Sequence, residues 1–301
     1  MTNNTLRILT ALAGIPAVIA LIYLGSWPFA LLVAVTALLA QYEVLGLLDK
    51  AGLEATKGVV MPAGLCLVLA SMYPPLLYVA VAIVLVWLAA SPFVSGRPAR
   101  TATGAHKRGA AAGRDSGPSA TAPGILHRLS ATMFGVVYPS GFLAFLVALR
   151  VTRGEAVDDT TAFAIVLTTF LLVWSTDTFA YYTGRALGRR PLAPTISPKK
   201  TWAGAVGGTV GAVVVGIVMK LLLLDVLTWG HAVGVALVAA VAGQFGDLAE
   251  SAMKRAVEVK DSGALLPGHG GILDRFDAMI LAAPAVYLYL AFVARIISPG
   301  L

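Results

Sequence analysis

Hydrophobic residues fill this chain in long unbroken runs, unlike the three-and-four spacing of a soluble amphipathic helix or the alternation of a half-buried strand. Runs near 7–24, 26–48, 59–73, 76–94, 126–149, 161–183, 202–224, 230–250 and 276–297 approach the roughly 20 apolar residues that carry a helix across a bilayer. Short polar or Gly/Pro breaks separate them, the briefest being Gly25-Ser26. The pattern predicts an all-α polytopic integral membrane protein with about nine transmembrane helices. Residues 1–94 form its N-terminal helices, 95–125 a low-complexity loop, and 126–301 a C-terminal transmembrane region. The first run begins behind a single Arg, lacks a small-residue cleavage site and leads straight into a second span, so it is expected to stay as a helix.

Composition agrees. Hydrophobic residues make up 58% of the 301 and charged residues only 12%, against about 45–50% and about 25% in soluble domains. Mean hydropathy is +0.84. Too few charges are present to cover a soluble surface of this size. The lone cysteine, Cys66, excludes an intrachain disulfide and a thiolate metal cage. A net charge of +7 could suggest nucleic acid, but cytoplasmic loops carry a Lys/Arg excess of their own. With nine spans and the N-terminus inside, 18 of the 22 Lys and Arg residues fall on the inner face. That asymmetry predicts an N-in, C-out orientation. The 95–125 stretch of Gly, Ala, Ser, Thr, Pro and Arg then lies on the cytoplasmic side as a solvated linker.

Two segments are more polar than topology requires: 177–204 and 246–277, both on the expected cytoplasmic side. The segments 177–201 and 246–277 hold 16 of the 37 charged side chains. Gln244, Asp247, Glu250 or Ser251, and Lys254 recur at helical spacing, giving the eighth span one polar face as it leaves the membrane. Ionisable groups at that depth are costly and point to function. Beyond them come Arg255, Lys260-Asp261, the turn Pro267-Gly268-His269-Gly270-Gly271, and Asp274-Arg275-Phe276-Asp277. Carboxylates suit a hard divalent cation, Lys and Arg suit phosphate oxygens, and glycines admit anions to backbone N–H groups. His269 is a candidate phosphate contact or proton donor to a leaving group. In the other segment, Asp177, Tyr181 and Arg185 follow one another at i, i+4, i+8, and Ser197-Pro198-Lys199-Lys200-Thr201 places two hydroxyls and two ammonium groups before the seventh span. Neither a P-loop nor a dinucleotide-binding glycine motif is present.

Ser251 through Asp277 reads S-x-M-K-R-x4-K-D-x-G-x2-L-P-x-H-G-G-I-x-D-R-F-D. This resembles the signature of the phosphatidate cytidylyltransferase (CDP-diacylglycerol synthase) family. Asp177-Thr178-Phe179-Ala180-Tyr181, Gly184-Arg185, Gly188, Leu192-Ala193-Pro194 and Ser197 to Thr201 resemble it too. The N-terminal spans are similar only in hydropathy and in Glu43, so specific likeness covers about the C-terminal two-fifths. Ala203 departs from the Glu or Gln usual there, and the 95–125 loop looks like an insertion.

The resemblance implies transfer of CMP from CTP to phosphatidate, giving CDP-diacylglycerol and pyrophosphate, with magnesium required. Asp247 and Asp274 correspond to the metal-binding aspartates and would hold one or two magnesium ions, or magnesium with a second cation. Lys254, Arg255, Lys260 and Arg275, with Ser197, Lys199, Lys200 and Thr201, would grip phosphate oxygens, while Asp261 and Asp277 orient those cations or add a ligand. Asp177, Tyr181, Arg185 and Ser251 are expected to line the substrate site. The expected partners are CTP, phosphatidate and the bilayer, with homodimer formation left open. The expected place is the cytoplasmic (inner) membrane, active site toward the cytoplasm. Two other readings stay open: a cytidylyltransferase acting on another lipid phosphate, and a polytopic transporter. Against the transporter stand the absence of a visible inverted repeat and the gathering of charge at one face.

Overall fold

The structure, a computed structural model, describes residues 3–94, 122–263 and 270–297. Ten helices follow in chain order: α1 (Asn3–Leu24), α2 (Ser26–Lys50), α3 (Lys57–Ala70), α4 (Pro74–Val94), α5 (Ala122–Val136), α6 (Phe142–Val151), α7 (Asp159–Leu187), α8 (Trp202–Leu222), α9 (Trp229–Ala256) and α10 (Leu273–Leu288). All nine apolar runs fall on helix. Six helical stretches among the described residues are long and apolar enough to cross a membrane: Ser26–Lys50, Gly124–Val151, Asp159–Leu187, Trp202–Leu222, Trp229–Ala256 and Leu273–Val293. The other three expected spans, on α1, α3 and α4, have shorter described apolar stretches, Gly14–Leu24, Lys57–Ala70 and Val79–Leu88. Length and composition therefore support six crossings among the described residues, and the chain is a mostly helical membrane protein. Most of the expected 95–125 loop, residues 95–121, lies outside the described residues.

Three details depart from the expected pattern. The run at 126–149 is two helices joined by a π turn, Val137–Gly141, where Pro139 supplies no N–H to a regular ladder. The polar linker before α8 folds into an antiparallel hairpin, β1 (Pro191–Ala193) and β2 (Ser197–Thr201). And α9 runs on to Ala256, so its polar face stays helical for more than a turn past the expected end of that span.

Side-chain caps place the long helices. Asp158 accepts from Thr161 N at 2.8 Å to start α7, a bond that holds its carboxyl below the ordinary carboxylate range. Thr201 accepts from Gly204 N at 3.1 Å to start α8, and Thr228 from His231 N at 3.2 Å to start α9. Helix α8 lies closely along α7 because Gly204 and Gly208 present no side chain to it: a Cβ on Gly208 would sit 2.6 Å from the carbonyl oxygen of Thr176. Small residues four apart are how membrane helices gain van der Waals contact without a hydrophobic driving force. The opposite face of α8 is a row of exposed valines at 206, 210, 214 and 218.

At the end of the molecule remote from the polar segments, the guanidinium of Arg150 is 2% exposed. It meets both oxygens of Asp159 at 2.9 and 3.0 Å and the carbonyls of Ile22 and Tyr23 at 2.8 and 3.3 Å. Gly25, at φ 61° between α1 and α2, leaves that guanidinium its room. Arg150 therefore serves as an internal tie rather than a loop charge. Substituting Gly208→Ala drives a methyl against a backbone carbonyl. We expect this to cost about 1–3 kcal/mol, seen as a lower unfolding midpoint in detergent, whereas Val214→Leu on the exposed face leaves the midpoint unchanged.

Candidate active site

The C-terminal end of α7, the hairpin, the start of α8, the end of α9 and the start of α10 meet at one end of the bundle. Between them lies a cavity of about 570 Å³ lined on its polar side by Asp177, Tyr181, Arg185, Lys199, Lys200 and Asp247, with Gln244 and Thr201 beside them. The hairpin explains why Lys199 and Lys200 reach it. The antiparallel pairing of Pro191 with Thr201 and of Ala193 with Ser197 turns β2 back along the helix ends, and the Thr201 cap fixes the passage into α8.

Lys200 forms an ion pair with Asp247 across the cavity. The other oxygen of Asp247 faces Ser251 Oγ at 3.4 Å, one turn along α9. Asp177 on α7 and Asp277 on α10 are close enough to feel the charge of Asp247 and of each other, and Asp177 also feels Lys200 and Arg275. Three helices thus each offer a carboxylate to one region.

A second group lies deeper. Lys254 Nζ sits between Glu250 and Asp274, 2.5 Å from Asp274 Oδ1 and in an ion pair with Glu250. Glu250 is completely buried, and neither of its oxygens has a well-formed hydrogen bond. Asp274 Oδ2 accepts from Gly271 N at 2.8 Å, Ser262 Oγ at 3.0 Å and Ser262 N at 3.1 Å. The two groups together hold five carboxylates, Asp177, Asp247, Glu250, Asp274 and Asp277, answered from within by Lys200, Lys254 and Arg275. Lys199 and Arg185 on the cavity wall bring the neighbouring cations to five. Clustered carboxylate oxygens of this kind suit a hard divalent cation.

The remaining expected residues fall into place around these groups. Tyr181 accepts from Arg185 at 3.3 Å on the exposed side of α7. Arg255 is exposed and bonds the carbonyls of Val259 at 2.9 Å and Ile196 at 3.4 Å, so it ties the hairpin turn to the segment after α9 and does not line the cavity. Ser197 pairs within the hairpin and also stays off the cavity wall. Lys260 and Asp261 are exposed on the segment that leaves α9. His269 lies outside the described residues. Asp277 Oδ1 accepts from Ala278 N at 2.7 Å.

With this geometry in place, comparison with known proteins is informative. The model of a cytidylyltransferase family matches residues 5–293. The chain belongs to that family. Its relatives include proteins named phosphatidate cytidylyltransferase from Brucella abortus, 46% identical over 161 residues (54% of this chain, 57% of the relative), and Bacillus subtilis, 47% over 121 residues (40% and 45%). One from Staphylococcus aureus is 44% identical over 125 residues (42% and 48%). The chain spans about half the length of the curated relatives it matches.

Reading residues alone gave no specific role to two groups at this cytidylyltransferase-family site. Glu250 was visible only as one more polar position on α9, since its complete burial depends on α10 packing across it. Gln244 donates to Thr209 Oγ1 at 3.1 Å and so ties α9 to α8 at the cavity wall. Removing the ammonium from the inner group, by Lys254→Met, leaves Glu250 and Asp274 without their common cation. We expect a loss of about 3–5 kcal/mol, the usual result of breaking a buried pair, measured as a lowered detergent unfolding midpoint. Adding Glu250→Gln to that variant restores part of it.

Proposed function

We propose that this protein transfers CMP from CTP to phosphatidate, giving CDP-diacylglycerol and pyrophosphate, at the inner face of the cytoplasmic membrane. The observation that carries the proposal is the carboxylate cluster beside a cavity rimmed by Lys199, Lys200 and Arg185, in a chain of the cytidylyltransferase family. The five Lys and Arg residues of the 185–200 stretch support a cytosolic position for this end of the bundle, where CTP is found.

The donor set fits magnesium. Among the described residues no three carboxylate or imidazole groups converge as a closed cage, and magnesium is ordinarily held by one or two carboxylates plus substrate phosphates and water. Asp247 and Asp274 would hold it, with Asp177 and Asp277 adding negative field. When bound, the ion would neutralise triphosphate charge.

The chain's own groups supply the rest. Phosphatidate is mostly a dianion at pH 7, because a phosphomonoester has its second pKa near about 6; it attacks the α-phosphorus of CTP without a protein base. A new P–O bond forms as the bond to the β-phosphate oxygen breaks, and pyrophosphate leaves with the electron pair. Lys200 and Lys199 hold phosphate oxygens from the hairpin side, Arg185 and Arg275 from the helix ends, and Thr201 and Ser251 offer hydroxyls. Catalysis of this type is alignment and electrostatic stabilisation. Lipid reaches the cavity laterally past α8 while CTP enters from the water side.

Purified protein in detergent with labelled CTP and phosphatidate tests this directly. We expect label to pass into chloroform-soluble product only when magnesium is present, and Asp247→Asn to reduce turnover by about 10²–10³-fold; near-normal turnover with unchanged magnesium dependence refutes the assignment. Competition between phosphatidate and isoprenoid lipid phosphates identifies the acceptor, and we expect phosphatidate to win. Uptake of label into vesicles without conversion indicates a transporter instead.

A further inference from the structure

Glu43 lies in the C-terminal third of α2, still within its apolar run, and is 3% exposed. A carboxylate in such a place needs partners, and it finds all of them far along the chain. Its Oε1 accepts from Ile272 N at 3.0 Å, and its Oε2 from Leu273 N at 2.8 Å and from Ser262 Oγ at 2.9 Å. No Lys or Arg pairs with it among the described residues. The same Ser262 hydroxyl lies 3.0 Å from Asp274 Oδ2, which also takes the N–H groups of Ser262 and Gly271. Two carboxylates, one from α2 and one from α10, therefore share a single hydroxyl and fasten both ends of the connection between α9 and α10. Gly263 and Gly271 have no room for a side chain, because a Cβ on either would run into Glu43.

From this we infer that Glu43 is a positioning residue for the proposed cytidylyl transfer: it fixes the start of α10, and so the places of Asp274 and of the Lys254 that Asp274 holds. The inference rests on the proposed reaction for its kinetic consequence and on the hydrogen bonds alone for its structural one. Groups that orient a catalytic carboxylate typically matter by 10- to 100-fold in activity. Glu43 also gives the N-terminal helices, which hold no residue of the cavity wall, a part in the chemistry.

Glu43→Gln changes little in shape but turns an amide N–H toward N–H donors. Gly271→Ala disturbs the same contact from the other side. We expect each to lower kcat by about 10- to 100-fold, to leave KM for CTP within about threefold of wild type, and to quicken tryptic cleavage after Lys260. Combining the two should cost no more than one alone, because both remove one interaction. Melting in detergent should show the bundle intact; if Glu43→Gln does not fold, Gly271→Ala takes the same readings with the carboxylate in place. Turnover of Glu43→Gln within about twofold of wild type, or losses that multiply in the double variant, overturns the inference. Absence of product from the wild-type protein condemns the reaction instead. In that event an unchanged tryptic rate after Lys260 refutes the anchor and a faster rate upholds it.

Discussion

The cost of holding five carboxylates at one end of an apolar bundle governs the arrangement of everything near them. Alone in such surroundings, each ionised group is heavily disfavoured. The fold meets that cost unevenly. Lys254 is placed between two acids, backbone N–H groups are given to Asp274, and Lys200 is brought over Asp247 by the hairpin. Arg185 and Lys199 complete the balance from the cavity wall.

The same economy explains the helices around the site. Helix α7 and helix α8 are pressed together by glycines, and both line the cavity, while the exposed valines of α8 face away from α7. Gln244 and Thr201 take their hydrogen bonds within that wall, one between α9 and α8 and the other at the α8 start, so it is closed by specific contacts as well as by close approach.

Much of this was legible in the sequence because charge is scarce in it: in a chain with 12% charged residues, the clustered Lys, Asp and Arg of 177–201 and 246–277 stand out, and the apolar runs locate the helices between them. What could not be read was anything set by packing at long range. The hairpin is short and contains prolines, so neither strand shows alternation. Arg150 looked like a loop charge because Asp159 and the carbonyls that absorb it come from two other parts of the chain. Arg255 and Ser197 sit within the right motifs, yet local backbone geometry turns them to hairpin contacts. Glu43 was noticeable as a lone acid in an apolar span, but its partners are up to 230 residues away, and no spacing rule reaches that far.

Arg150 has a consequence for the order in which the molecule can be built. The carbonyls of Ile22 and Tyr23 are satisfied by a guanidinium 128 and 127 residues later in the chain, itself neutralised only once Asp159 exists. During synthesis the junction of α1 and α2 therefore emerges long before its partner, and the first two helices cannot adopt their final mutual arrangement until the beginning of α7 has been made. A segment made early is thus locked late.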